Sequence, residues 1–335
     1  MKKAFLISVS MLALSAGAAF AQNTQSTYQN GSSNTVGVNQ TGNGGSNSST
    51  ILQGYYSSGA NNSSVSVTQI GGSAATTSSW VQQDGSSLSA TVNQTAYGSS
   101  EADSTQGSTI VQTGSSNNAS VTQQAPSASA NEQSYVNQSS NGAYGANGVT
   151  VNQTGVNDTS TVYQSSGGTW FPGSSGVSVT QSGSSSNNSS VNQASDYYSS
   201  VTVSQSGVGT GSNSSTVNQG VGVFDYENTA SVSQIMDGTG SNRSGVSQSG
   251  NNNSASIYQY AYNGTNGSDL SQTGTNNASV GQSAYYGAAN YSYINQSGTG
   301  NTASVSQTDA WGGVGTNNSY LTQVGTGNHS SINQH

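Results

Sequence analysis

Cysteine is absent from the 335 residues, and only three basic side chains, Lys2, Lys3 and Arg243, stand against eleven carboxylates. The first absence removes disulfides, thiolate metal sites and cysteine nucleophiles together. The second removes the basic face with which a nucleic-acid binder neutralises phosphates. Histidine occurs only at 329 and 335, which leaves the body of the chain without an imidazole for general acid or base work. Charged residues make up 4% of the chain and proline occurs twice, a composition unlike that of an ordinary enzyme. No catalytic residue, cofactor or metal site is expected. What the sequence has instead is 44 glycines in a body dominated by Ser, Asn, Gln and Thr.

The one long apolar run, residues 5–19, follows Lys2 and Lys3 and closes with Ala19-Phe20-Ala21 before the polar Gln22. A basic start, a short apolar core and a small-x-small ending define a secretory signal peptide, shorter than the ~20 residues a membrane-spanning helix needs. The expected division is a leader at 1–21 and one repeat domain at 22–335. Cleavage after Ala21 would send the mature chain through the periplasm to the cell surface or an extracellular matrix. It would leave a single arginine against the eleven carboxylates.

Aligned on an apolar residue two positions before a glutamine, residues 22–335 resolve into 24 copies of one motif, from Gln29 to Gln334, at a mean spacing near 13. The series includes Trp80 before Gln82. Four positions before the glutamine stands Ser, Ala or Val in nearly every copy, and six before, asparagine in 16 of 24. Residues 117–123, 253–259 and 301–307 give the consensus Asn-x-(Ala/Ser)-x-Val-x-Gln. The selected positions all differ by two, so an extended chain projects them from one face and the intervening residues from the other. Both prolines, Pro126 and Pro172, fall between motifs, as strand pairing requires. Glycine recurs two residues after the glutamine at Gly31, Gly114, Gly155, Gly250, Gly298 and Gly325. The pattern reads strand, arc, strand, arc.

Units that cannot bury a face alone stack. Two facing strands make one rung. The expected fold is therefore an all-β, parallel, two-strand-per-rung solenoid of about 12 rungs, ~55–60 Å long at the usual strand spacing. Like would lie above like. An inward amide ladder would run through Asn34, Gln40, Asn117, Gln123, Asn253, Gln259, Asn301, Gln307, Asn317, Gln323, Asn328 and Gln334. Inward aliphatics would include Val38, Val121, Ile257, Val305 and Ile332. An amide carries both donors and acceptors, so a column of them satisfies itself in a dry interior. Burial of so few aliphatic side chains offsets only part of the ordering cost, leaving backbone and amide ladders to supply most of the rest. Open end rungs then template further copies.

Segments such as residues 112–123 and 296–307 resemble the curlin repeat, the unit of curli-type amyloid fibres on bacterial surfaces. The resemblance covers nearly the whole chain after residue 21, with more units than the family's major subunit has. It implies a cross-β solenoid and self-assembly into surface or biofilm fibres that support adhesion. The partners it implies are further copies, other curlin-like subunits, an outer-membrane export pore and chaperones. It also implies a seeding role for the terminal amides Asn34, Gln40, Asn317, Gln323, Asn328 and Gln334.

Other features carry less. Glycine clusters such as Gly238 and Gly240 join no strand to a helix and precede no lysine, so they are not phosphate cradles. Asp84, Asp158, Asp309 and the other scattered acids lack calcium-roll spacing and read as gatekeepers that keep arcs soluble. Aromatics at Tyr55, Tyr56, Trp170, Tyr197, Tyr198, Tyr285, Tyr286 and Trp311 fall in arcs. There they either cap the thin core or offer surface contacts. The competing functional class is a monomeric solenoid adhesin that binds carbohydrate or surfaces through those aromatics.

Overall fold

The computed structural model describes residues 22–335 except 43, 56–59, 98–103, 126–129, 141–145, 167–173, 195, 221–224 and 310–313. Ala19 and Ala21 of the expected cleavage site, both prolines, Tyr56, Trp170 and Trp311 lie outside the described residues. Gln22 opens the first strand, Gln22–Gln29.

The fold is a parallel β-solenoid. Each strand pairs in parallel not with its neighbour in sequence but with the next strand but one, so two stacks grow side by side. Sheet I starts with Gln22–Gln29, Ser46–Gln53 and Thr76–Ser86 and ends with Thr316–Thr326. Sheet II starts with Thr35–Gly42, Ser64–Gly71 and Ser89–Ala96 and ends with His329–Gln334. Each stack holds twelve strands, which is the rung number expected from the motif count. Strand pairing continues around the arc in Thr265–Tyr285 and Ala289–Thr308, so there one strand serves both sheets. No helix occurs among the described residues.

Period-two patterning sets the register. Along Ser64–Gly71 and Ser186–Ala194 burial alternates residue by residue. A slip of one position would turn every Val and Gln outward. The inward faces of the two sheets meet in one continuous aliphatic core from Ile51 to Leu321, in which Val121 and Ile257 are fully buried. Val38 and Ile332, in the outermost rungs, are only partly covered.

The two sheets differ where the sequence pattern is loosest. Four residues before the glutamine, sheet I presents a file of serines, including Ser49, Ser108, Ser160 and Ser215, whereas sheet II presents Val65, Ala119, Val149, Val201 and Ala255. The alternation of Ser with Ala or Val along the chain is thus a separation in space.

One motif is out of phase. Gln83, not Gln82, pairs with Gln53 and Gln112, and Val81 faces inward with no exposure while Trp80 lies on the outer face, 42% exposed. Both frames satisfy the apolar-x-Gln rule. The core accepts the β-branched side chain, because an indole would overfill a column built of Val and Ile. The corrected frame also puts Gly85 two residues after its glutamine, at φ +149°.

The arcs explain the glycines. Gly274, Gly298 and Gly325 stack directly over one another at φ near +104°, +118° and +110°. A Cβ built on Gly298 would stand 2.0 Å from the Gly325 carbonyl oxygen, so only glycine lets successive arcs close up to strand spacing.

Candidate functional site

Four files of inward side chains run the length of the core, two of glutamine and two mainly of asparagine, the one in sheet II also holding Ser63, Leu88, Ser175 and Ser199. In sheet I the Gln file begins Gln29, Gln53, Gln83 and ends Gln296, Gln323; in sheet II it begins Gln40, Gln69, Gln94 and ends Gln307, Gln334. Each Nε2 donates to the Oε1 of the next rung toward the C-terminus, at 2.7 Å from Gln40 to Gln69, 2.8 Å from Gln94 to Gln123 and 2.7 Å from Gln282 to Gln307. The same Nε2 also donates across the core to a backbone carbonyl of the facing sheet, as Gln69 does to Ser48 at 2.9 Å and Gln205 to Asn188 at 2.9 Å. Two amide protons thus have two partners, and the crossing bond fixes which way the amide faces. These groups are dry: Gln53, Gln94, Gln205 and Gln259 have no exposed surface.

Asparagines do a second job. The Nδ2 of Asn117, Asn253, Asn301 and Asn328 reaches back four residues to the carbonyls of Thr113, Ser249, Ser297 and Val324, stapling the arc that precedes each strand. Most asparagines also ladder, in the opposite sense to glutamine, Asn117 and Asn147 being exceptions whose Oδ1 has no partner among the described residues. Asn328 donates to Asn301 Oδ1 at 2.9 Å, and Asn317 to Asn290 Oδ1 at 3.0 Å. In sheet II the Asn34 oxygen accepts from the Ser63 backbone N–H of the next rung. Every amide expected inside therefore lies in one of the four files.

The asparagine file of sheet I is interrupted in its middle by Thr77, Gln106, Glu132 and Asp158. Glu132 and Asp158, in successive rungs, have no exposed surface, which corrects the expectation that Asp158 guards a soluble arc. Asp84 and Asp309 are also buried. Glu132 accepts from Gln106 Nε2 at 2.9 Å and from the Gly155 N–H at 3.1 Å. Asp158 accepts from Asn187 Nδ2 at 2.8 Å. Burial, with the neighbouring Asp158 adding to it, pushes the Glu132 carboxyl up to about 8, against the pull of its two donors. Burial likewise pushes Asp158 up to about 7. A protonated carboxyl is both donor and acceptor and so mimics the amide it replaces. The sequence signal was available, since both acids stand six residues before a motif glutamine.

The end rungs expose complementary edges. At the first rung no side chain among the described residues donates to the Oε1 of Gln29 or Gln40. At the last, Gln323 and Gln334 use one Nε2 proton on the carbonyls of Thr302 and Asn318, at 3.0 Å each, and hold the second toward the open end. Strands Gln22–Gln29 and Thr35–Gly42 are exposed or half-buried throughout, and so is His329–Gln334, so no described element covers either edge.

The arc aromatics are only partly gathered. Tyr262 packs edge-on against Tyr286 with ring centroids 5.0 Å apart, and Tyr260 against Tyr285 at 5.7 Å, on the edge opposite the glycine arcs. Tyr55 packs instead against Tyr28 of the first rung. The backbone of Tyr197 pairs with Tyr226, and Tyr198 is exposed. These aromatics form no continuous strip among the described residues.

This geometry defines a class, the two-sheet parallel β-solenoid with a laddered amide core, which is compatible with a structural or adhesin-like protein. No family model matches the chain, and no curated protein matches it.

Proposed function

We propose that the chain is a secreted, non-catalytic structural protein whose activity is self-assembly, end to end, into a curli-type amyloid fibre at the cell surface or in a biofilm matrix, where it supports adhesion. The observation that carries this reading is the match between the two end rungs. A second copy placed with Gln29 over Gln323 and Gln40 over Gln334 continues both Gln files in the same sense, donor to acceptor, and pairs two strand edges on each side. Such a joint repeats the contacts within the chain, so its strength is that of one more rung. The curlin-like motif and the leader at 1–21 support the same reading, and the partners that resemblance implies, export pore, chaperones and sister subunits, belong to it.

Purified residues 22–335, released from denaturant at neutral pH, are expected to show a lag, then thioflavin fluorescence and sedimentable fibres, with the lag abolished by preformed seeds. A species that stays monomeric by analytical ultracentrifugation and is not recruited by seeds would overturn the proposal.

A further inference from the structure

The outer face of sheet I carries two grooves built alike. In the larger, of about 540 Å³, two outward files run Arg243, Gly267, Tyr291, Asn318 and Gly245, Asp269, Tyr293, Tyr320 along successive rungs. Glycine at 245 and 267 lowers the floor. A Cβ at Gly267 would stand 2.8 Å from the Tyr291 ring, so the ring leans over that glycine. The Asp269 carboxylate leans over Gly245 in the same way, at 2.7 Å. Tyr291, Tyr293 and Tyr320 keep 46%, 39% and 78% of their surface exposed. The floor continues past Gly245 into a hollow of about 180 Å³ beside Thr216, Asn218 and Ser247. Among the described residues neither the Arg243 guanidinium nor the Asp269 carboxylate makes a side-chain hydrogen bond or ion pair, although they stand on adjacent rungs.

The second groove, of about 490 Å³, has Gly107 and Thr109 as its floor, Trp80 one rung before and Gln133 and Tyr135 one rung after. The Gln133 amide leans over Gly107 as Asp269 leans over Gly245. Gly107 and Gly267 are six rungs apart, about 29 Å along the axis.

We propose that this face is a glycan-binding surface, in which pyranose rings of a linear polysaccharide stack on Tyr291, Tyr293 and Trp80 while Arg243, Asp269 and Gln133 hydrogen-bond their hydroxyls. Aromatic platforms beside outward polar groups, of which Gln133 shares its amide with Asn131 Oδ1 at 2.9 Å, are what a ligand with apolar ring faces and a hydroxyl rim requires. The features common to both grooves are the glycine floor, the aromatic wall and neutral hydroxyl or amide groups, which selects an uncharged chain long enough to span both. A second copy of the protein fits less well. An antiparallel pair centred on the larger groove would join Arg243 to its partner's Asp269 but set the Gly107 groove opposite a rung beyond the end of the other molecule. A parallel pair would face arginine with arginine. The inference rests on the fold of one chain and not on fibre formation.

The test uses soluble residues 22–335 below their assembly concentration, with cellohexaose, maltohexaose and chitohexaose as probes and oligogalacturonate as the acidic comparison. Tryptophan and tyrosine fluorescence, and affinity electrophoresis in gels containing the matching polysaccharides, report binding. At least one neutral probe is expected to bind, with Tyr291→Ala/Tyr293→Ala weakening it tenfold or more. Trp80→Ala is expected to weaken the polymer more than the hexasaccharide. Arg243→Gln keeps a donor and is expected to cost less than threefold. The substituted side chains face outward, and an unchanged circular dichroism spectrum verifies the fold. No binding to any neutral probe, binding indifferent to the Tyr pair, or binding confined to the acidic probe and lost with Arg243→Gln would overturn the proposal. So would a Tyr-pair variant whose only change is loss of side-by-side fibre association.

Discussion

Gln296 donates from Nε2 to Gln323 Oε1 at 2.7 Å, the final link of a ladder that starts at Gln29 and whose sense never reverses. The glutamines therefore make the two ends of the molecule chemically different: the first rung offers Gln acceptors, the last Gln donors. Growth at them should differ as well. The double variant Gln323→Leu/Gln334→Leu keeps the volume but removes the outward donors. It is expected to slow extension at the C-terminal end at least fivefold while its N-terminal end still adds to wild-type seeds, as single-fibre imaging with two-colour copies would reveal.

Within the stack the same change is far more costly. Gln205→Ala leaves the Gln181 Nε2, the Gln234 Oε1 and the Asn188 carbonyl without their partner in a dry core. The expected loss is roughly 2–4 kcal/mol. Gln40→Ala in the half-open first rung is expected to cost about 1 kcal/mol or less. Denaturant midpoints of the two soluble variants provide the comparison.

The Glu132 and Asp158 carboxyls make stability depend on pH in a definite direction. Their folded values, about 8 and about 7, lie above the ordinary 4.5 and 3.8, so the folded chain holds protons that the unfolded chain gives up. Their favourable contribution is complete below about pH 4 and is lost as pH rises through 7 and 8. Thermal midpoints should therefore fall between pH 5 and pH 8.5. The variant Glu132→Gln/Asp158→Asn should flatten that profile and be more stable than wild type at pH 8.5 by on the order of 2 kcal/mol. A wild-type midpoint that rises over this range would refute the assignment.

Gly298→Ala is expected to destabilise by about 2 kcal/mol or more, because φ near +118° excludes a side chain and the new methyl would collide with Gly325. Gly281→Ala is the control. It lies outward on an ordinary strand with nothing within 4 Å of the added carbon, and its cost should be within about 0.5 kcal/mol.

Where the sequence was legible and where it was not follows from what a period of two carries. It specifies which residues share a face, so the two-strand rung, the number of rungs and the inward amides could be read from glutamine spacing alone. It does not choose between adjacent frames when both fit, as at Trp80-Val81-Gln82-Gln83. There the deciding signal was Gly85, the arc glycine that only one frame places correctly. Substituting Val81→Ser should cost about 2 kcal/mol, and Trp80→Ser about 0.5 or less. Nor does the period bring together residues on one sheet's outer face, which are separated by a whole coil: Tyr293 and Tyr320 are 27 positions apart in sequence and neighbours in space, with ring centroids 6.4 Å apart. Consecutive aromatics such as Tyr285-Tyr286 mark the arcs, whereas aromatics of the sheet face stand singly in the sequence.

The opposed sense of the glutamine and asparagine files has an electrostatic consequence. Aligned amides add their dipoles as helical peptide units do, and a column of such groups would accumulate charge separation with every coil. Strand backbone dipoles alternate and leave little net moment. With the Gln files oriented one way and the Asn files the other, the interior too offsets part of its own field, so a long filament accumulates a smaller moment per coil than its glutamine files alone would give.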